Sequence, residues 1–210
     1  MKRIFSPFLI AFLFSSFLMS QSLYLDKERF ALAITPSVSF AEDISIHALG
    51  TSFSLNKKLD ISVQYSSIHL QESEDQFASK AVGIGGALTL WGLKTQEDFP
   101  IEVALSILGS YANYEDFNSS SFGAGLTIAY KKEQSNTFNT IPLIGISFIP
   151  FTQVSRNQNS DVSDDKNFAF QFGVGFFTNV LNQSKFVIEP AVSFDSSSNL
   201  GASLSASFIF

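Results

Sequence analysis

Only two histidines, His47 and His69, occur among the 210 residues. Imidazole is the side chain whose proton exchanges most readily near neutral pH. Each histidine has a carboxylate close in sequence, Asp43 before His47 and Glu72 after His69. Such a pair could hold a general base and activate water or a nucleophile. No paired-aspartate motif accompanies them at matching positions, so two histidines scattered along a polar rim is the plainer reading. Asp161, Asp164 and Asp165 lie among Asn157, Asn159 and Ser163, a run of hard oxygen donors that would suit Ca²⁺. The spacing is not that of an EF-hand, and the same run describes a solvated polar loop. Gly83, Gly85 and Gly86 fall inside an alternating, strand-like run, where glycine relieves crowding rather than cradling phosphate. Serine is too common here to single out a nucleophile. The chain has no cysteine, which removes thiol chemistry, disulfides and a lipid-anchor cysteine. No catalytic residue, metal site or cofactor is assigned.

The elements that would position these groups are legible at the end of the chain. Leu200, Ala202, Leu204, Ala206, Phe208 and Phe210 make an apolar row. Asn199, Gly201, Ser203, Ser205 and Ser207 make a small, polar one. A strand points successive side chains to opposite faces, so the segment reads as a strand with one greasy and one small polar face. The same alternation recurs upstream. It predicts ten strands over about 30–41, 44–55, 59–71, 80–92, 100–113, 120–131, 141–153, 167–179, 186–196 and 199–210. Two are less regular. The segment 44–55 changes parity near Leu49-Gly50, which predicts a bulge. The segment 141–153 is apolar on both faces for part of its length and carries Pro142 and Pro150.

The small rows carry few charges, where the solvated face of a soluble sandwich would carry lysine and glutamate. The opposing rows are large: Phe, Leu, Ile and Val. Large outside and small inside fits a narrow barrel in lipid, and each strand is near the roughly 9–11 residues that cross a bilayer when tilted. The fold expected is all-β: a closed antiparallel up-and-down transmembrane barrel of about ten strands, with eight as the alternative. An even number puts both termini on the periplasmic side.

The start of the chain agrees. Met1-Lys2-Arg3 is positive, Ile4 to Leu18 is almost wholly apolar, and Ser20-Gln21-Ser22 fits a small-x-small cleavage site. This is the pattern of a secretory signal peptide over 1–22, leaving 23–210 as one barrel domain. Removing Lys2 and Arg3 takes the net charge from −6 to −8, which argues against nucleic acid as a partner. The charge divides by end. Acids outnumber bases eleven to three in the expected outer connections and are outnumbered four to six in the periplasmic ones. The acidic rim is read as loop solubility before cation recruitment.

The signal, the alternating rows and the terminal Leu204-Ser205-Ala206-Ser207-Phe208-Ile209-Phe210 together resemble the small bacterial outer-membrane β-barrel proteins, the OmpA-barrel and OmpX-like group. The resemblance covers the mature chain. It implies residence in outer-membrane lipid and handling by the barrel-assembly machinery, which in that group reads the final aromatic and the row Leu204, Ala206, Phe208 and Phe210. A monomer without catalytic activity is expected, with a structural or surface-interaction role. The alternative is a narrow porin-like channel. A rim enzyme of the omptin-protease or lipid-acyltransferase kind is less favoured, because its placed Asp, His and Ser groups are not matched. Strand parity turns Asp60, Glu102 and Glu189 inward near the periplasmic end, as an acidic constriction or a structural hydrogen-bond network. Leu108, Ile149, Phe151, Phe177 and Val187 also read as inward, with no inward Lys or Arg beside the acids.

Overall fold

The computed structural model describes residues 21–24, 30–41, 44–70, 80–94, 100–113, 118–131, 139–156, 159–163, 167–181, 184–196 and 199–210. A single 3-10 turn, Gln21–Tyr24, precedes the strands. The strands are β1 (Phe30–Ala41), β2 (Ile44–Leu55), β3 (Leu59–Leu70), β4 (Lys80–Lys94), β5 (Ile101–Asn113) and β6 (Asn118–Tyr130). They continue as β7 (Asn139–Arg156), β8 (Asn159–Ser163), β9 (Asn167–Leu181), β10 (Ser184–Asp195) and β11 (Leu200–Ile209). Neighbours pair antiparallel; β11 returns to β1, and β6 pairs with β7, so β1–β7 and β9–β11 close a ten-strand ring. Closure leaves no unpaired edge, as hydrocarbon requires of a sheet.

The two faces are inverted relative to a soluble protein. Inside, the buried residues include Ser39, Ser52, Ser54, Ser66, Ser106, Ser121, Ser147, Ser193, Ser205 and Ser207. Outside, Phe30, Leu49, Tyr65, Leu90, Leu105, Ile107 and Leu204 are exposed. Water would penalise that outer surface heavily; lipid does not.

The sheet departs from the sequence expectation in three places. The bulge expected near Leu49-Gly50 is absent: β2 keeps unbroken register with both β1 and β3. The parity change arises because Ile46 points inward, where it pairs with the equally buried Ile68. The shifts lie instead between Trp91 and Leu93, Phe122 and Ala124, and Ser184 and Lys185. The first makes Gly92 the extra residue. The second extends β7 by one residue against β6, so that buried Ile149 and buried Thr152 both face inward. Finally, the outer loop expected over Val154–Lys166 is largely sheet. β7 runs on to Arg156, and β8 pairs back along it from Thr152↔Ser163 to Arg156↔Asn159. β8 thus carries the line of β9 upward beyond Ile149↔Asn167.

The turns use local chemistry. Asn56 and Lys57 both take positive φ, at 53° and 58°, and Lys58 N–H donates to the Leu55 carbonyl at 3.0 Å. This left-handed pair matches the twist of the strands it joins, and asparagine tolerates it well. At the other end Asp195 closes the β10–β11 turn: its two carboxylate oxygens accept from the backbone N–H and the side-chain amide of Asn199, each at 3.0 Å. Asp195 is one of the eleven acids of the expected outer connections, and the structure makes it a buried turn cap.

Candidate functional site

The interior near the end that carries both chain termini is the most elaborated part of the molecule. Asp60 on β3 and Glu189 on β10 are both buried in the lumen. The Asp60 carboxylate accepts from the indole N–H of Trp91 on β4, at 3.3 Å. Glu189 Oε2 accepts from the hydroxyl of Tyr24, at 2.7 Å. Glu102 lies at the same end, half-buried, opposite Ala129 on β6 and Lys94 on β4. Lys185, expected in a turn, is instead buried on β10, with its ammonium 4.9 Å from the centroid of the Phe177 ring. The inward set therefore includes a cation that parity had not supplied. The bulge between β9 and β10 beside Ser184 lets β10 begin two residues earlier than expected, which carries Lys185 into the strand.

Tyr24 and Leu23 fill the space between these walls. They are 3% and 1% exposed, less than most strand residues around them. The Tyr24 ring meets Phe177 edge-on at 5.5 Å. The Leu23 carbonyl accepts from the Lys131 ammonium at 2.5 Å. Gly175 faces the tyrosine, and a Cβ at that position would collide with the Tyr24 ring and hydroxyl. The 3-10 turn also lies against β2 and β3, on the other side of the ring from β9 and β10. It thus crosses the lumen. Burial, the Glu189 carboxylate and the hydrogen bond to it push the Tyr24 phenol well above its ordinary pKa, so the hydroxyl stays a donor.

Around the turn, Ala31, Ala33, Trp91, Ile141, Leu143, Phe177, Val187 and Ile209 complete an apolar layer. Further along the axis Ala87, Leu108, Ile149 and Ala169 form a second layer. Small hydroxyls bridge neighbouring strands of the wall: Thr89 to Ser106 at 2.9 Å, Ser110 to Ser121 at 2.8 Å and Thr35 to Ser207 at 2.8 Å. The interior is packed at these two layers, as in narrow barrels whose side chains fill the bore, while the inward Ser37, Ala48, Gly50, Ser62 and Ser110 keep partial exposure. Phe151, expected to face inward, lies outside the described side chains.

The remaining candidates lie away from this interior. His47 and His69 point outward, away from the lumen, with ring centroids 5.9 Å apart. Asp43 and Glu72, their imagined partners, lie outside the described residues, as do Asp164 and Asp165; Asp161 falls on β8, its side chain undescribed. Among the described residues no three His, Cys, Asp or Glu side chains converge on a metal-sized space. Leu204, Ala206, Phe208 and Phe210 share the outer face of β11 and its end, and the Phe210 N–H donates to the Leu32 carbonyl at 2.9 Å.

Sequence reasoning missed the Tyr24 plug, because nothing periodic marks Leu23-Tyr24. It also missed Trp91, although parity could have found it: Asp60 pairs with Thr89, and Trp91 stands one inward step further on β4.

The fold is that of the outer-membrane β-barrels. No known family profile and no curated relative matches the chain. Among solved structures, the β domain of the Bordetella autotransporter BrkA aligns over 86% of this chain and 98% of its own, at 12% identity and a TM-score of 0.50. The translocator domain of autotransporter NalP from Neisseria meningitidis aligns over 96% and 95%, at 10% identity and a TM-score of 0.45. Neisserial surface protein A aligns over 86% and 95%, at 11% identity and a TM-score of 0.37. At such identities the likeness concerns the fold.

Proposed function

We propose that this chain is an integral outer-membrane barrel with a structural or surface-interaction role, and that it neither conducts solutes nor catalyses a reaction. It is exported by a signal peptide over 1–22 and cleaved there. It folds as a monomer with the barrel-assembly machinery acting on Leu204, Ala206, Phe208 and Phe210, and it sits in outer-membrane lipid with the terminal end of the barrel in the periplasm. The observation that carries the reading is the pair of buried apolar clusters in the lumen. Leu23 and Tyr24 lie across one end, and Leu108 and Ile149 are wholly buried further along. A narrow channel needs a continuous wetted path, and two apolar layers interrupt it. A rim enzyme would need its histidines beside acids in a cleft. Here both histidines lie on the outer wall.

Planar-bilayer recording tests the proposal. The purified barrel should insert without discrete conductance steps. Regular steps of cation-selective current would overturn it and assign Asp60, Glu102 and Glu189 to a constriction.

A further inference from the structure

The outer wall of β2 and β3 is apolar apart from Thr51 and one larger polar block. Ser45, His47, Ser67 and His69 form a block of two by two: Ser45 pairs with His69, and His47 pairs with Ser67. All four alternate with the buried, inward Ile46, Ser66 and Ile68, so all four face outward. The next outward pair toward the middle of the wall is Leu49 with Tyr65, both well exposed. On β1 the block borders Phe40 and Val38, which pair with Ser45 and His47. It is a polar window in a greasy wall, at the end of the strands away from the chain termini.

Within the window the two imidazoles are diagonal cross-strand neighbours. Their rings stand edge to face, with centroids 5.9 Å apart and planes at 85°. Ser67 Oγ lies 3.3 Å from His69 Nε2. Two imidazoles held on adjacent strands of a closed sheet are a rigid bidentate donor set. With metal–nitrogen bonds of about 2.0–2.1 Å, two rings on one tetrahedral ion have centroids about 5.2 Å apart. The observed separation closes to that by small side-chain rotations, with no change in register.

Charge decides between a cation and an anion here. The two connections at this end of β1–β2 and β3–β4, residues 42–43 and 71–79, contain Glu42, Asp43, Glu72, Glu74 and Asp75, five carboxylates against the single cation Lys80, which begins β4 and pairs with His69. A net excess of carboxylates in the connections at this end raises the local concentration of cations and repels phosphates. Imidazole donors select among cations, favouring Zn²⁺, Ni²⁺ or Cu²⁺ over Ca²⁺ and Mg²⁺, which prefer oxygen.

We propose that His47 and His69 form a bis-imidazole site for a divalent transition-metal ion on the outer wall of the barrel, at its rim. The ion ties β2 to β3, and water or neighbouring hydroxyls complete its coordination. Ser67 orients the His69 ring and is a positioning residue. The site is independent of the sealed lumen.

Calorimetric titration of Zn²⁺ into the untagged, detergent-folded barrel tests this, with excess Ca²⁺ present to occupy the loop carboxylates. One saturable site is expected, with affinity falling by about tenfold or more in His47→Ala and in His69→Ala, since losing a direct ligand should cost at least what losing an outer-shell partner does. Asp60→Asn, in the lumen, should bind as the parent does. Heat-modifiability on gels reports whether each variant is folded. A second measurement needs no variant. The chain has two histidines in all, so Zn²⁺ should protect both from diethylpyrocarbonate in the parent protein. Absence of saturable binding, affinity unchanged in both histidine variants, or modification unaffected by Zn²⁺ would each overturn the proposal.

Discussion

The hydroxyl of Tyr24 donates to Glu189 Oε2 at 2.7 Å, joining two residues 165 positions apart inside the barrel. Both are almost wholly buried, and the other oxygen, Glu189 Oε1, has no hydrogen-bond partner among the described residues. The carboxylate therefore depends heavily on a single donor. Leaving a buried acceptor unsatisfied costs about 1–3 kcal/mol, more for a charged group. Tyr24→Phe should destabilise the folded barrel by about 2 kcal/mol on that basis. Glu189→Gln, which keeps an acceptor, should cost less. Reversible urea unfolding of the detergent-folded protein, read by tryptophan fluorescence from Trp91, measures both. Equal stability of Tyr24→Phe and the parent would remove the tyrosine from the energetics of the core.

The same contact sets a pH dependence. The Tyr24 phenol is held well above its ordinary range by burial first, then by the charge and hydrogen bond of Glu189. A group whose pKa is raised on folding contributes stability that is fully present below its unfolded pKa. That stability is lost as pH rises through the folded pKa. The Tyr24 contribution should therefore be constant through pH 9 and decline only above about pH 10. Titration of tyrosine absorbance in the folded protein should show a fraction that ionises last and disappears in Tyr24→Phe.

Gly175 offers the complementary test, because its missing side chain makes room for the tyrosine. A Cβ there would overlap the Tyr24 ring and hydroxyl, and β9 is held by β7 and β10 on either side. Gly175→Ala should therefore expel Tyr24 and cost about 1–3 kcal/mol, the usual range for overpacking. Tyr24→Ala in the same chain should recover part of that loss. Additive effects would mean that the two residues do not share the space.

Most of the barrel was readable in the chain, and the reasons are physical. A strand in a lipid-facing barrel must alternate at every step, so a row such as Phe122, Ala124, Leu126, Ile128 and Tyr130 declares both its conformation and its outward face. β1 and β2 have the bounds the alternation predicts. What alternation cannot encode is contact across the bore. Tyr24 meets Phe177 and Glu189 only once ten strands have closed, and a four-residue 3-10 turn has no period to detect. Alternation also misled at Ile46, where an apolar residue buried in the lumen opposite Ile68 imitates a bulge. In the window of Ser45, His47, Ser67 and His69, the two histidines were visible, but their register was not.

The outer wall itself supplies the last prediction. Ile107 lies near the middle of β5, points outward and is 52% exposed. In a soluble sandwich an exposed isoleucine accepts arginine almost without effect, because the guanidinium stays in water. In a membrane barrel the same position faces hydrocarbon, where arginine near the midplane costs about 2–4 kcal/mol. Phe40 is equally exposed but one residue from the end of β1, where the cost falls to about 0–1 kcal/mol. Ile107→Arg should therefore weaken folding into lipid vesicles far more than Phe40→Arg, as measured by denaturant unfolding in the bilayer. The inward neighbour Ser106, hydrogen-bonded to Thr89, separates depth from general fragility. Ser106→Ala removes one hydroxyl contact and should cost about 1 kcal/mol in lipid and in detergent alike. A large loss confined to Ile107→Arg in bilayers places that wall in hydrocarbon. Equal, small losses for both arginine variants would put it in water and remove the membrane reading of the exposed rows.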